Sequence, residues 1–188
     1  MVGGGRVAER KVRALLTCGA QVRVVSPDVC KGVRALHKAK RIELAERIYT
    51  PVDLTGATLV FATTNDALTN KRVSENARKK KIPVNVADKP ELCDFIVPAV
   101  VRRDPILIAI STSGTVPMLA RKLREEIERQ LSKDLARYAV KIGKVRKLLM
   151  ERVEDGRKRR KIMSEISKAS IAEIAAMSMK ELRARFLK

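Results

Sequence analysis

Hydrophobic and polar positions alternate along this chain in two distinct registers. Residues 6 to 18 carry Val7, Val12, Leu15 and Leu16 at helical spacing, and Gly19 follows as a stop. Val22-Arg23-Val24-Val25 then reads as a short β-branched strand, ended by Ser26-Pro27-Asp28. A weaker helix and strand run through Val33, Leu36, Ile42 and Leu44. The run Ala57-Thr58-Leu59-Val60-Phe61-Ala62 is nearly continuously apolar, as in a buried parallel strand. Asn70 to Lys80 is helical in pattern, and Val84-Asn85-Val86 is a further strand ending at Ala87-Asp88. Strand and helix alternate in this way from residue 2 to residue 88, which predicts an α/β, Rossmann-like parallel sheet.

Beyond residue 90 the pattern changes. Phe95 to Val101 and Ile106 to Ile110 flank Arg102-Arg103-Asp104-Pro105, as two strands of a hairpin or a crossover between subunits. A hydroxyl-rich loop, Ser111-Thr112-Ser113-Gly114-Thr115, leads to Pro117 and a helix through Leu119, Leu123, Ile127 and Leu131. From Ser132 onward the chain is amphipathic helix, interrupted near Asp155-Gly156 and at Ser167 to Ser170. Three regions are expected: a nucleotide-binding domain over 1–89, a small α+β dimerisation and substrate segment over 90–131, and a helical C-terminal domain over 132–188.

The most specific local signal is Gly3-Gly4-Gly5-Arg6-Val7-Ala8, a Gly-x-Gly-x-x-Ala turn that opens into the first helix. Glycines let backbone approach a pyrophosphate, and a helix N-terminus offers free amides and a favourable dipole. Gly3 is expected to serve the tight turn, Gly5 the phosphate contact and Ala8 close helix–strand packing. Only Met1 and Val2 precede the glycines, so the first, central strand is expected to be truncated or nearly absent through a trimmed or mis-assigned start. A domain lacking that strand would expose the edges of its neighbours.

Composition narrows the partners. Of 188 residues, 45% are hydrophobic and 33% charged, a globular balance. The formal net charge of +20 draws polyanions, whether nucleic acid, anionic lipid or a carboxylate-rich small molecule. Scarce aromatics and absent tryptophan argue against base-stacking RNA modules. Cys18, Cys30 and Cys93 form no CxxC pair and read as reduced thiols of a cytoplasmic protein. No apolar run is long enough to cross a membrane.

Four stretches converge on the carboxyl edge of the predicted sheet, where open α/β sheets bind ligands. They are the glycine turn, Ser26-Pro27-Asp28, Thr63 to Asp66 with Thr63 and Asn65 as cofactor contacts, and Asn85 to Asp88. Asp28 lies two positions beyond the predicted strand end, which favours NAD over NADP only slightly. Asp88, after a buried strand, is the candidate for acid–base work, although an Asp before Lys-Pro also suits a turn. His37 stands in a polar stretch with no metal cage around it. Cys93 reads as a structural thiol, and Arg157-Lys158-Arg159-Arg160-Lys161 as a solvated helix face or an anion-binding run.

Taken together, the blocks Val2 to Lys11, Asn85-Val86-Ala87-Asp88, Leu92-Cys93-Asp94-Phe95-Ile96-Val97-Pro98 and Ile108 to Arg121 resemble the precorrin-2 dehydrogenase and sirohydrochlorin ferrochelatase family, the N-terminal part of sirohaem synthases. The resemblance covers residues 2 to 131. It implies NAD-dependent oxidation of precorrin-2 to sirohydrochlorin, with Fe²⁺ insertion in some members. Asp88 falls at the family's catalytic aspartate. Arg6 and Val7, with Pro27 and Asp28, fall at its cofactor contacts. Thr112 falls where some bacterial members carry a phosphorylated serine at the substrate cleft, with Ser111 and Ser113 beside it. The resemblance also implies a homodimer formed through the central segment. Steering of a carboxylate-rich tetrapyrrole gives the +20 charge a concrete partner. Two other classes fit parts of the pattern: an NAD-sensing nucleic-acid-binding protein with a basic helical tail, and a tetrapyrrole carrier without turnover.

Overall fold

A computed structural model describes residues 1–187 of the chain, which divides into two compact units, Met1–Ile96 and Val97–Lys188. The first unit is a parallel five-stranded sheet built from β1 (Val2–Gly4), β2 (Arg23–Val29), β3 (Glu43–Ala45), β4 (Val60–Ala62) and β5 (Val84–Val86), in the order β3-β2-β1-β4-β5. Helices α1 (Arg6–Thr17), α2 (Lys31–Lys38) and α3 (Ala67–Lys79) connect them.

Both faces of the sheet are covered. Val12 of α1 and Val33 of α2 pack with Val22, Val24 and Ile42 on one side. Val73 and Ala77 of α3 pack with Val2, Val25, Val60, Ala62, Val84 and Val86 on the other. Strands buried on both faces gain from being apolar throughout, which is why β1, β4 and β5 are buried at every position.

The first strand is short, as the meagre run before the glycines implied, but it is present and central. Val2 pairs with Val25 on one side and Ala62 on the other.

Four sequence expectations are corrected. β2 does not end at Ser26-Pro27-Asp28 but runs through them to Val29, because Gly4 pairs with Val29 across a bulge. A bulge is where a strand accommodates a proline that cannot donate. Val7 is exposed, and the buried face of α1 is carried by Ala8 and Val12. The apolar run from Ala57 contributes strand only from Val60, and α3 begins at Ala67, before Asn70, because Asp66 caps it. Gly19 ends α1 as expected: it sits at φ +75°, with Gly19 N–H on Leu16 O and Ala20 N–H on Leu15 O.

In the second unit, β6 (Ala99–Arg103) and β7 (Ile106–Ile110) form an antiparallel hairpin closed by Asp104-Pro105. α4 (Pro117–Gln130) lies against β6, burying Ala120 and Val101. The remainder is helical: α5 (Lys133–Arg152), α6 (Gly156–Ser167), α7 (Ile171–Ala176) and α8 (Met179–Phe186). Val145, Leu149, Ile166, Ile174 and Leu182 form their common core. Ser132, Asp155, Ser170 and Ser178 each accept an amide hydrogen bond at a helix start, which explains the breaks between helices. Among the described residues no helix is long and apolar enough to cross a membrane.

Candidate dinucleotide site

The glycine turn owes its sequence to two contacts and one opening. Gly3 lies within β1 at φ +108°, and a Cβ there would stand 2.8 Å from the backbone carbonyl of Thr63. It is therefore a strand residue and not the turn that its place in the motif predicts. Gly4, unremarked as the middle residue of the motif, is as constrained: its Cβ would stand 2.5 Å from Asp28 O. Gly5 is different. A Cβ there would meet nothing within 4 Å, and Gly5 is exposed as the N-cap of α1.

No side chain caps α1. The first amides of that helix, at Gly5, Arg6 and Val7, therefore open to solvent together with the positive end of its dipole. That is the geometry an anion needs, and the space beside Gly5 leaves room for one. Ala8, fully buried, lets the helix lie close to the sheet.

The neighbouring strand ends complete the edge. Ser26 is buried and its hydroxyl donates to Asp28 O at 2.7 Å, bracing the bulge that presents Pro27 and Asp28, both exposed. Thr63 is likewise buried. Its amide and hydroxyl both donate to Val2 O, at 2.8 and 3.2 Å, so its polar atoms tie β4 to β1. Thr64 is bound by Asn70, which accepts from the Thr64 hydroxyl at 2.8 Å and donates to Thr64 O at 2.9 Å. Between them Asn65 is exposed, and Asp66 accepts from the amides of Leu68 and Thr69. Those bonds hold the Asp66 carboxyl below its usual range, the Thr69 hydroxyl contributing most.

Asp88 is exposed just past β5, with φ +58°. Asp tolerates the left-handed region better than most residues. The loop that carries it is fastened at both ends. The Cys93 sulfur lies 3.1 Å from Val86 N, which donates to it, and the thiol is within reach of Val86 O and Lys89 O at 3.2 and 3.3 Å. Cys93 is thus a half-buried clamp on the Asp88 loop. Asn85, buried, donates to Phe95 O at 3.0 Å and accepts from Lys11 Nζ at 3.1 Å.

Lys11 is the residue that pattern reading passed over. It shares a helix face with Ala8, Val12 and Leu15, and a cation on an apolar stripe is a signal in itself. Its ammonium lies 5.0 Å from the centroid of the Phe61 ring. Burial draws its pKa below the ordinary lysine range, helped by Arg10 and opposed by Cys93 and Asp88.

The remaining candidates lie elsewhere. Ser111, Thr112 and Ser113 belong to the second unit, in the loop between β7 and α4. Ser111 Oγ accepts from Ser113 N at 3.1 Å and Thr112 Oγ1 from Val116 N at 3.3 Å, so two of the hydroxyls shape the loop itself. His37 is exposed, with Nδ1 3.3 Å from Ile42 O. Of the basic run on α6, Arg159 is turned inward onto Val153 O and Glu154 O, at 2.7 and 2.9 Å, and its neighbours are exposed.

Comparison with known proteins agrees with this geometry. Residues 1–99 match a family described as "Putative NAD(P)-binding", and residues 103–130 match the central domain of sirohaem biosynthesis proteins. The sirohaem synthase of Methylobacillus flagellatus is 41% identical over 173 residues, covering 92% of this chain and 37% of that protein. That of Vesicomyosocius okutanii is 42% identical over 176 residues, again covering 92% of this chain and 37% of its own length. The chain thus spans a little over a third of the curated relatives it matches. A solved structure of SirC, a precorrin-2 dehydrogenase, superposes with a TM-score of 0.77 at 24% identity, covering 99% of this chain and 89% of that one, and so shares the fold. The resemblance read from the sequence holds: this chain belongs to the NAD(P)-binding family of sirohaem biosynthesis proteins.

Proposed function

We propose that this chain oxidises precorrin-2 to sirohydrochlorin with NAD as electron acceptor, acting as a cytoplasmic homodimer. The observation that carries this reading is the uncapped N-terminus of α1 at the edge of β1, with open space beside Gly5 and an exposed carboxylate, Asp88, at the end of β5 on the same edge. β1 and β4 are neighbours whose connections leave in opposite directions along the sheet, the switch point at which such sheets bind ligands.

NAD, when bound, supplies the hydride acceptor. The chain's own residues do the rest. The amides of Gly5, Arg6 and Val7 hold the pyrophosphate at the helix N-terminus, and Asp28 accepts from a ribose hydroxyl, which favours NAD over its phosphorylated form. Pro27 and Asn65 border the cofactor, while Ser26 and Thr63 hold the strand ends in place. Precorrin-2 loses two electrons as a hydride together with one proton, and Asp88 takes the proton. Ser111, Thr112 and Ser113 meet the substrate. The net positive charge favours capture of its carboxylates. Exposed Val100, Leu107, Met118 and Leu119 in the second unit offer apolar surface for a second copy to cover.

The test is to supply precorrin-2 and NAD to purified protein and follow NADH formation and the product spectrum. Asp88→Asn should lower kcat by about 10²–10⁴-fold with NAD affinity retained. A carrier or nucleic-acid binder would be indifferent to that substitution, and full activity in the variant would refute the role given to Asp88. Sirohydrochlorin and Fe²⁺, given to the same preparation, report whether this carboxylate also serves metal insertion into the product.

A further inference from the structure

A charged side chain on the buried stripe of α1 calls for a partner, because an ammonium loses hydration there. Lys11 has two: it donates to Asn85 Oδ1 at 3.1 Å, and it faces the Phe61 ring at 5.0 Å. Both partners reach onward to one residue. Asn85 Nδ2 donates to Phe95 O at 3.0 Å, and the Phe61 ring meets the Phe95 ring edge-on, with centroids 5.5 Å apart and planes at 84°. Phe95 follows directly on Cys93 and Asp94, which also bind β5, Asn85 Nδ2 donating to Cys93 Sγ at 3.6 Å. Cys93 clamps Val86 and Lys89, and Asp94 accepts from Val84 N at 3.1 Å and from Arg78 Nε at 3.1 Å.

The Asp88 loop therefore runs between β5 and the strap 93–95, and the strap, besides its own bonds to β5, is linked through Asn85 and Phe61 to the Lys11 ammonium on α1. The same helix offers its N-terminal amides to the site, and Lys11 lies in its second turn. The groups that bear on that ammonium are Arg10, Cys93 and Asp88, which puts the loop's carboxylate within its electrostatic reach.

We propose that Lys11 is a positioning residue that fixes the Asp88 loop relative to the cofactor-binding helix through the Lys11–Asn85–Phe95 chain and the Phe61 ring. The proposal rests on the functional reading given above for Asp88. It predicts a role in turnover and not in cofactor affinity, because no atom of this chain of contacts belongs to the exposed amides at Gly5 to Val7. A methionine has nearly the length of lysine and keeps the packing while removing the donor and the charge. Arginine keeps both.

The experiment compares Lys11→Met, Lys11→Arg and Asn85→Ala in the full chain, by backbone amide exchange and by steady-state kinetics. In Lys11→Met, exchange over Val86 to Phe95 should accelerate about tenfold while exchange in β2 and α2 is unchanged. The NAD dissociation constant should stay within about threefold, and kcat should fall about 10–100-fold. Lys11→Arg should recover kcat to within about threefold of wild type. The double variant Lys11→Met/Asn85→Ala should lose no more than the worse single one, since both break the same chain. Unchanged exchange over 86–95 in Lys11→Met would overturn the proposal, as would a loss in NAD affinity equal to the loss in turnover. Should Lys11→Met unfold, Asn85→Ala with wild-type exchange over that segment would overturn it equally. A wild-type protein that fails to oxidise precorrin-2 would instead overturn the functional reading, and the exchange data would still decide the link between Lys11 and the loop.

Discussion

The three consecutive glycines separate folding from binding, and substituting each by alanine measures the two independently. Gly3→Ala places a methyl 2.8 Å from Thr63 backbone atoms and forces an L-residue to φ +108°. A side chain in such a conformation costs about 1–3 kcal/mol, and overpacking against backbone adds about 1–3 kcal/mol. The sum, about 2–6 kcal/mol, is a large share of the stability of a domain this size. Gly4→Ala avoids the positive φ but drives a methyl to 2.5 Å from Asp28 O and 2.6 Å from the Val29 side chain, for about 1–3 kcal/mol. Gly5→Ala meets nothing within 4 Å and sits at φ −78°, ψ −172°, which alanine adopts freely. Its cost is the difference between glycine and alanine as an N-cap, about 1 kcal/mol or less. On the function proposed for this edge, its methyl would occupy the space through which a phosphate reaches the helix amides. Losing one charge-assisted contact of about 1.5–3 kcal/mol weakens the dinucleotide by about 10–100-fold. Urea denaturation gives the first quantity and titration of NADH fluorescence the second. Gly5→Ala should fold nearly normally and bind poorly, and Gly3→Ala should do the reverse wherever it remains folded. Wild-type affinity in Gly5→Ala would refute the assignment of the phosphate to this helix N-terminus. Wild-type stability in Gly3→Ala would refute the packing argument.

A further prediction concerns pH. Asp53 accepts from Arg47 at 2.5 and 2.9 Å and from Thr50 N at 2.8 Å, which holds its carboxyl at about 2 instead of 3.8. Its contribution is complete above pH 3.8 and disappears as pH falls through about 2. Asp53→Asn should cost about 1–2 kcal/mol at neutral pH, discounted because Arg47 is half exposed, and should flatten the acid limb of the midpoint curve.

What could be read from the chain beforehand divides along a physical line between local and cross-strand causes. The β-branched runs, the helix stops and the glycine turn report local preferences, and they placed β5, α1, α2 and the start of β2 nearly where they lie, whereas β1, expected to be truncated or nearly absent, is a central strand over Val2–Gly4. Ser26-Pro27-Asp28 misled because proline and aspartate end strands in isolation. Their place inside β2 depends on Gly4 pairing with Val29, a partner distant in sequence. Gly4 escaped notice for the same reason, its constraint being a carbonyl on another strand. The polar residues of the site show the line most clearly. Thr63 and Ser26 have the right chemistry to touch a ligand and lie at the right edge, but both are buried, and their hydroxyls serve Val2 O and Asp28 O. Asp88 and Asn65, without such acceptors among the described residues, stay exposed. A hydroxyl beside a strand end is therefore a weak ligand signal until its alternative acceptor is known, whereas a cation on an apolar stripe is a strong one, because the stripe offers it nothing. Lys11 carried that signal in the spacing of Ala8, Val12 and Leu15. Net charge, by contrast, located nothing. Many of the basic residues lie in exposed pairs such as Arg13–Glu9, Arg124–Glu128 and Lys168–Glu165, where each adds little to stability and only the unpaired surplus shapes the field a polyanion meets.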